Sequence, residues 1–172
     1  MIKKKSFIWL RLIFFFSIIT YLLGLPSHRE EKQLSAGSFD FSLTTVEGKE
    51  ICLKDYRGKK MVHLLFWATW CPYCLMEMPK LKKLYHAIGD KPYEILVIDV
   101  GINDSLKRIK KIQEQYQIPC KILLDEKGEV SKRCGVISVP MHIIIDKEGI
   151  IRDRFYQLSE DPTNHINRLF SQ

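Results

Sequence analysis

Several patterns that would place this sequence in other classes of protein are absent from it. The 172 residues contain no internal repeat and no long basic block, so nucleic-acid binding has little support. The chain has a single Cys-x-x-Cys motif, and neither a second such motif nor a histidine pair completes a zinc site. Leu75 stands where haem attachment would require a histidine after the second cysteine of the motif.

The composition is that of one globular domain with a short appendage. Hydrophobic residues make up 46% and charged residues 27% of the chain, which is not the composition of a disordered protein. Residues 1–33 hold six basic and two acidic side chains, which account for +4 of the net charge of +7. The remaining residues therefore have an ordinary charge balance.

Residues 1–27 predict an N-terminal signal or membrane-anchor segment. The three lysines Lys3 to Lys5 precede an apolar stretch, Ser6 to Leu25, which is long enough to cross the hydrocarbon core of a bilayer. A cleaved signal peptide is the alternative, but no small-residue cleavage site follows this stretch closely, so we favour an uncleaved anchor. With the lysines on the cytoplasmic side, residues 28–37 would form a polar tether and residues 38–172 a folded domain outside the cytoplasm.

A buried strand followed by an amphipathic helix places two cysteines at one turn. Met61 to Trp67 is almost continuously apolar, as expected of a buried strand. Apolar side chains then recur at helical spacing, at Cys74, Met78, Leu81, Tyr85 and Ile88. Pro72 suits the first helical position, so Cys71 lies at the helix N-terminus, where partial positive charge and free N–H groups favour a thiolate. Cys74 lies one turn further on and can attack a mixed disulfide formed at Cys71.

The rest of the chain predicts alternating strands and helices. The predicted elements are a hairpin over 39–53, a buried strand over 93–100, a helix capped by Asn103 or Asp104 and ending near Gln117, a short edge strand over 122–124, a hairpin over 141–155, and a last helix opening at Asp161 and Pro162. This order predicts an α/β fold with a mixed central sheet flanked by helices, an N-terminal β-hairpin and a ββα C-terminal unit.

The motif Trp70-Cys71-Pro72-Tyr73-Cys74 resembles the thioredoxin superfamily, whose signature is Trp-Cys-x-x-Cys at a strand-to-helix turn. Val139-Pro140 is similar to the cis-proline segment of that family. The fuller run from Phe66 to Pro79, which includes Glu77, resembles the membrane-anchored TlpA/ResA/CcmG branch, with an AhpC/TSA-redoxin-type domain. The resemblance covers nearly all of the predicted domain and implies a thioredoxin-like fold.

The resemblance also implies roles for individual residues. Cys71 and Cys74 would be the catalytic, redox-active disulfide, and the protein substrate would contact Trp70, Pro72, Tyr73, Val139 and Pro140. Glu77 would lie near the thiols, raise a thiol pKa by like-charge repulsion and take the proton of the resolving thiol. A solvated helix glutamate is the alternative. Leu65 stands where thioredoxin has a buried Asp as proton acceptor, so Glu77 or water must substitute.

The implied function is an extracytoplasmic thiol–disulfide oxidoreductase that acts on protein thiols and disulfides, in the reductive direction. Apocytochrome c is one candidate substrate, and a membrane thiol reductase is the implied electron donor. No metal or organic cofactor is implied, because the dithiol itself is the reagent. A thiol peroxidase, a disulfide-installing oxidant and a binding module with a structural cysteine pair are the alternatives. Ala68 and Leu64 stand where peroxiredoxins have Thr and Pro, which argues against a peroxidase.

Three further cysteines, Cys52, Cys120 and Cys134, are expected to be small buried hydrophobic residues. In an oxidising compartment Cys120 and Cys134 could instead form a disulfide, or one could serve as an auxiliary thiol.

Overall fold

Residues 39–170, which the computed structural model describes, alternate between strands and helices. The strands are β1 (Ser42–Thr45), β2 (Glu50–Cys52), β3 (Met61–Trp67), β4 (Tyr93–Asp99), β5 (Lys121–Leu124), β6 (Met141–Ile145) and β7 (Ile151–Phe155). The α-helices are α1 (Pro72–Ile88), α2 (Leu106–Tyr116), α3 (Glu129–Arg133) and α4 (Pro162–Phe170), and a 3₁₀ helix covers Leu53–Tyr56.

The seven strands form one mixed sheet in the order β2-β1-β5-β4-β3-β6-β7. Strand β3 pairs in parallel with β4 and antiparallel with β6, and β4 pairs in parallel with β5. The predicted class, a mixed α/β sheet flanked by helices, is therefore confirmed. The redox turn follows the carboxyl end of an interior strand, where a ligand site is expected in sheets of this kind.

The longest apolar runs of the sequence form the centre of the sheet. All seven residues of β3 and all five of β6 are buried, because neighbouring strands cover both edges of β3 and helices cover the sheet. Helix α1 buries Cys74, Glu77, Met78, Leu81, Leu84 and Ile88. The predicted inward position of Tyr85 is wrong: its ring is 42% exposed and Leu84 is buried instead. Spacings of three and four are both compatible with a helix face, so the pattern alone did not distinguish the two.

Strand β5 was predicted to be an edge strand, and it lies inside the sheet. It pairs with β4 on one side and with β1 on the other. Ile122 and Leu123 are fully buried in consequence. A four-residue strand with no periodic pattern does not indicate which strands lie beside it. The pairing of β1 with β5 therefore could not be predicted from the local sequence.

Short polar connections account for two other differences. Helix α2 is capped by Ser105, whose side chain accepts a hydrogen bond from the Arg108 N–H, and not by Asn103 or Asp104. Helix α3 was not predicted; the buried carboxylate of Asp125 accepts hydrogen bonds from the N–H groups of its first turn. The predicted opening of α4 is confirmed, since the Asp161 carboxylate accepts from the Asn164 N–H at 3.1 Å.

The predicted anchor at residues 1–27 and the predicted tether at 28–37 lie outside the described residues. From residue 39 to residue 170, none of the helices combines the length and apolar character that a membrane span requires.

Candidate functional site

The redox turn connects the end of β3 to the start of α1. Cys71 and Cys74 are joined by a disulfide bond, with their Cα atoms 5.3 Å apart. Cys71 is the N-cap of α1, and its sulfur accepts a hydrogen bond from the Cys74 N–H at 3.2 Å. Pro72 occupies the first helical position. The predicted strand-to-helix turn is therefore present, with the first cysteine at the positive end of the helix.

Both cysteines are recessed while the side chains around them are exposed. Cys71 is 3% and Cys74 0% exposed, whereas Trp70 is 45% and Tyr73 71% exposed. Met76, on the next turn of α1, is also exposed. Access to Cys71 is therefore framed by these large exposed side chains.

A second segment, from the loop before β6, lies across from the disulfide. The Val139–Pro140 peptide bond is cis, as the resemblance implies. The carbonyl oxygen of Val139 lies 3.5 Å from the Cys71 sulfur. Beside it, a cleft of about 500 Å³ is lined by Tyr73, Met76, Glu77, Lys80, Ser138, Val139, Pro140, Tyr156, Gln157 and Glu160. The structure thus brings all the substrate-contact residues named from the sequence to one end of the sheet.

Glu77 is buried, at 3% exposure, so the alternative of a solvated helix glutamate is wrong. Its Oε1 accepts a hydrogen bond from the backbone N–H of Leu158 at 2.5 Å. Its Oε2 lies 2.9 Å from Nε2 of His142. Glu77 follows Cys74 by three residues on the same helix, so both side chains project from one face of its first turns.

Two buried histidines extend from Glu77 into the sheet, and sequence reasoning missed both as candidate functional residues. Nδ1 of His142, on β6, lies 2.8 Å from Nε2 of His63, on β3, and both rings are fully buried. The His142 ring also stacks on Phe155, with ring centroids 4.7 Å apart. The available signal was one titratable residue in each of two otherwise apolar runs, MVHLLFW and MHIII.

The loop between β4 and α2 holds the redox turn from the other side. The Asp104 carboxylate accepts hydrogen bonds from the Thr69 N–H at 2.7 Å and from its hydroxyl at 2.6 Å. The Trp70 indole N–H donates to the carbonyl of Ile102 at 2.6 Å. Asp104, predicted as a helix cap, thus holds Thr69, and Ile102 of the same loop holds Trp70, the residue before Cys71.

Asp99, at the end of β4, is the strongly perturbed carboxyl group near this loop. The pKa of Asp99 is raised from 3.8 to about 7, chiefly by burial and also by the carboxylates of Asp104 and Asp125, against the lowering effect of the Gly101 N–H. That N–H donates to Asp99 Oδ1 at 3.0 Å. Oδ2 is buried and has no hydrogen-bond partner within residues 39–170. Asp99 therefore becomes charged only near neutral pH.

The three remaining cysteines are free thiols, so the alternative of a disulfide between Cys120 and Cys134 is wrong. Those two are buried as expected, whereas Cys52 is only partly buried. Burial raises the pKa of Cys120 to about 12 and that of Cys134 to about 12, which leaves both protonated and poorly nucleophilic at neutral pH. The geometry thus concentrates thiol chemistry at Cys71 and Cys74.

The chain is similar to known proteins in sequence and in fold. Residues 37–154 match the AhpC/TSA family. The thiol-disulfide oxidoreductase ResA of Bacillus cereus is 37% identical over 130 residues, 76% of this chain and 73% of that protein. The thioredoxin-like protein YneN of Bacillus subtilis is 38% identical over 114 residues, 66% of each chain. Among solved structures, the thioredoxin domain of a thiol-disulfide oxidoreductase from Bacteroides vulgatus has a TM-score of 0.68 at 25% identity, covering 77% of this chain and 96% of that one.

Proposed function

Because this chain belongs to the AhpC/TSA family and is a thiol–disulfide oxidoreductase of thioredoxin-like fold, we propose that it reduces disulfide bonds of protein substrates outside the cytoplasm. The observation that carries the proposal is the geometry of one turn. A recessed Cys71–Cys74 pair opens onto an exposed aromatic surface, and a buried carboxylate, Glu77, follows Cys74 by three residues on the same helix.

The two cysteines divide the exchange reaction between them. In the reduced protein the Cys71 thiolate, stabilised by the Cys74 N–H and by the helix N-terminus, attacks a substrate sulfur. A mixed disulfide forms and the second substrate sulfur leaves as a thiolate. Cys74 then attacks Cys71, which releases the remaining substrate sulfur as a thiolate and leaves the Cys71–Cys74 disulfide in the protein; the substrate thiolates take up protons from water. The substrate thereby gains two electrons.

Glu77 is the proposed proton acceptor for the second step. Cys74 must lose its proton to become a nucleophile, and Leu65, which is apolar and fully buried, offers no acceptor there. Glu77 is a buried carboxylate on the same helix face as Cys74. We assign it the role of general base to Cys74 during oxidation and of proton donor during reduction.

The substrate contacts follow from exposure and from the position of one carbonyl group. Trp70, Pro72 and Tyr73 are exposed beside the disulfide. The Val139 carbonyl, 3.5 Å from the Cys71 sulfur, can accept a hydrogen bond from an extended substrate segment, and Pro140, which has no N–H, adds no competing donor there. Protein segments, which carry backbone N–H groups on both sides of a cysteine, suit this site better than small thiols.

Location and partners are inferred from the first residues of the chain. The lysines and apolar stretch within residues 1–27 support a membrane tether with the domain on the outer side. A reductant placed there requires electrons from a membrane thiol reductase, since the surrounding compartment is oxidising. Apocytochrome c, whose cysteines must be reduced before haem attachment, is the proposed substrate.

A peroxidase function has less support from the site. Ala68 and Leu64 are fully buried apolar residues, and neither offers a hydrogen-bonding side chain to a peroxide bound at Cys71. The oxidant alternative differs from our proposal only in the direction of electron flow, and the partner that is trapped distinguishes the two.

The function is tested by trapping partners on a Cys74→Ser variant expressed in its native membrane. Without the resolving thiol, mixed disulfides at Cys71 should persist and appear as adducts on non-reducing gels, whereas the Cys71→Ser control should show none. Apocytochrome c and a membrane thiol reductase among the adducts are the expected result. Many unrelated exported proteins would instead indicate a general exchanger or an oxidant, and a complete lack of adducts would contradict the redox function.

A further inference from the structure

Three buried polar side chains form a line that runs from the redox helix into the middle of the sheet. Glu77 Oε2 lies 2.9 Å from His142 Nε2, and His142 Nδ1 lies 2.8 Å from His63 Nε2. The side chains of Glu77 and His142 are 4% and 0% exposed. The proposed chemistry at Cys71 and Cys74 uses Glu77 and leaves the two histidines unexplained.

The sheet register explains how the line forms. His142 pairs with Leu65 across β3 and β6, and His63, two residues before Leu65, lies on the same face. Glu77 of α1 covers that face. Burying an imidazole or a carboxylate is costly unless its polar atoms are hydrogen-bonded, so these contacts determine where the protons of the line reside.

Leu158 restricts the proton positions further. Its backbone N–H can only donate, so Glu77 Oε1 is held as an acceptor. A proton that reaches Glu77 is therefore best placed on Oε2, in the short contact with His142 Nε2. When Glu77 is ionised, His142 Nε2 carries the hydrogen; when Glu77 is protonated, Nε2 must accept, and the hydrogen of His142 moves to Nδ1, toward His63.

We propose that His142, backed by His63, is a positioning residue that exchanges a proton with Glu77 during thiol–disulfide exchange. The inference rests on the proposed role of Glu77 as proton acceptor for Cys74. Imidazole suits this role because it changes charge near neutral pH and because a ring can donate at one nitrogen and accept at the other.

The proton and electron balance is complete within the reaction already proposed. When Cys74 attacks Cys71, its S–H bond breaks, a Cys71–Cys74 S–S bond forms, and the substrate sulfur leaves with the electron pair of the mixed disulfide. The proton of Cys74 goes to Glu77 and then to His142, which pairs as an imidazolium with the restored carboxylate. Reduction of the Cys71–Cys74 disulfide by the electron donor returns that proton to Cys74.

Other titratable groups surround the line and contribute to its pH response. Tyr93, on β4, meets the His63 ring edge-on at a centroid distance of 6.1 Å. Asp153, on β7, pairs with Ile144 next to the histidines. Lys80, Tyr156 and Glu160 line the cleft together with Glu77. A pH dependence of the reaction can therefore be assigned to Glu77, His142 and His63 only if a substitution of one of these three residues changes it.

Histidine NMR on the full-length protein in detergent micelles tests the proposal without a mutation in the line. Ring resonances are followed across pH in the oxidised and the reduced protein. We expect the titration midpoint or the tautomer of His142 to differ between the two redox states, by about one pH unit if it is the midpoint that moves. His86, which is exposed on α1, should behave alike in both states. Identical His142 behaviour in both states would overturn the proposal.

Rapid kinetics of the reduced protein with a model peptide disulfide supply the second test. The variants are Glu77→Gln, His142→Gln, His63→Gln and the control His86→Gln. Glutamine at 142 keeps a hydrogen-bonding group beside Glu77 but cannot hold the extra proton. We expect resolution of the mixed disulfide to slow about tenfold near neutral pH in His142→Gln, with a changed pH profile, and to stay unchanged in His86→Gln.

The variants separate the possible failures. Unchanged kinetics in Glu77→Gln would contradict the proposed role of Glu77, and the histidine proposal would fall with it. A slow Glu77→Gln beside a normal His142→Gln would overturn the histidine proposal alone. A His142→Gln rate lowered by the same factor at every pH would indicate a purely structural role and would likewise overturn it. If His142→Gln does not fold, His63→Gln and the NMR comparison decide.

Discussion

Glu77, three residues after Cys74 on α1, has both carboxylate oxygens engaged, one by the Leu158 N–H and one by His142. A carboxylate held in this way cannot turn outward to water, and in the role proposed for Glu77 its charge would act on the thiols through a medium of low polarity. The proposed site thus combines the helix N-terminus, which favours the thiolate, with Glu77, whose charge would oppose it. Their balance sets how much reactive thiolate exists at a given pH.

Replacing Glu77 by glutamine should shift that balance toward the thiolate. We expect the midpoint of the pH dependence of Cys71 alkylation by iodoacetamide to fall by about one pH unit, since a like charge is removed. The exposed Glu114→Gln on α2 is the matched control and should leave the midpoint in place. An unchanged midpoint in Glu77→Gln would show that the carboxylate does not act on the thiols.

The raised pKa of Asp99 predicts the direction in which the stability of the folded protein changes with pH. Its folded-state pKa of about 7 lies above the unfolded value of 3.8. The folded protein therefore holds a proton that the unfolded chain has released, and the free energy of unfolding falls as pH rises from about 4 to about 7. Above pH 7 both states are ionised and the full penalty of a buried charge is present.

Asp99→Asn removes this penalty and keeps Oδ1 as an acceptor for the Gly101 N–H. We expect urea unfolding to show a gain of about 1 kcal/mol at pH 8 and little gain at pH 4. The exposed Asp55→Asn serves as control and should show no such difference. A gain of equal size at both pH values would mean that the charge of Asp99 is not its source.

At the scale of elements, the start of α1 is held between two loops that come from different parts of the chain. The loop after β4 binds Thr69 and Trp70 through Asp104 and Ile102, and the loop before β6 places Val139 near the Cys71 sulfur. The turn is therefore aligned by contacts outside its own helix. Such external support is what keeps a reactive group within a narrow range of orientations.

Asp104→Ala should loosen this support. The buried N–H of Thr69 loses its acceptor, which costs about 1–3 kcal/mol in the free energy of unfolding measured in urea. The rate of peptide-disulfide reduction should fall as well, because Trp70 and Cys71 follow directly. Asp104→Asn keeps one acceptor and should lose less, and the exposed Asp90→Ala should match the wild type. Equal stability of Asp104→Ala and the wild type would show that the hydrogen bonds from Thr69 to Asp104 do not stabilise the turn.

Elements with a strong local pattern could be predicted from the sequence, and contacts between distant segments could not. The apolar run of β3 and the Pro72 start of α1 are local signals, and both were predicted correctly. Asp104 is a residue type that often caps helices, and it was predicted to cap α2. Its carboxylate instead accepts a hydrogen bond from Thr69, 35 residues earlier in the chain. His63 and His142 are separated by 79 residues, and each alone looked like an ordinary residue of a buried strand. Only the sheet register brings them together.

At the scale of the whole molecule, the sheet order places the redox turn at the end of an interior strand with a neighbour on each side. The loop that holds Thr69 and Trp70 follows the carboxyl end of β4. Val139 lies in the loop before β6, and His142 is the second residue of that strand. Because β4 is parallel to β3 and β6 is antiparallel to it, the carboxyl end of β4 and the amino end of β6 lie at the same end of the sheet as the redox turn. The sequence predicted the mixed sheet of a thioredoxin-like fold, whereas the local pattern misplaced β5 at an edge of that sheet.

The separations along the chain also determine when the site is completed during folding. Cys71 and Cys74 are 3 residues apart, whereas Val139 is 68 residues from Cys71. Leu158 is 81 residues from Glu77. Contacts that close long loops cost more entropy and form later than local ones. The thiol pair therefore exists before the segments that surround it arrive.

From this order of contact formation we expect a stage during folding in which the thiols are reactive but not yet selective. Until β6 joins β3, Cys71 has no neighbouring Val139 carbonyl, and Cys52, Cys120 and Cys134 are still accessible to it. Burial of Cys120 and Cys134 in the finished sheet removes two of these competitors. Mispairing is thus a hazard of biogenesis, and the sheet that orders the redox site also protects it from the chain's own thiols.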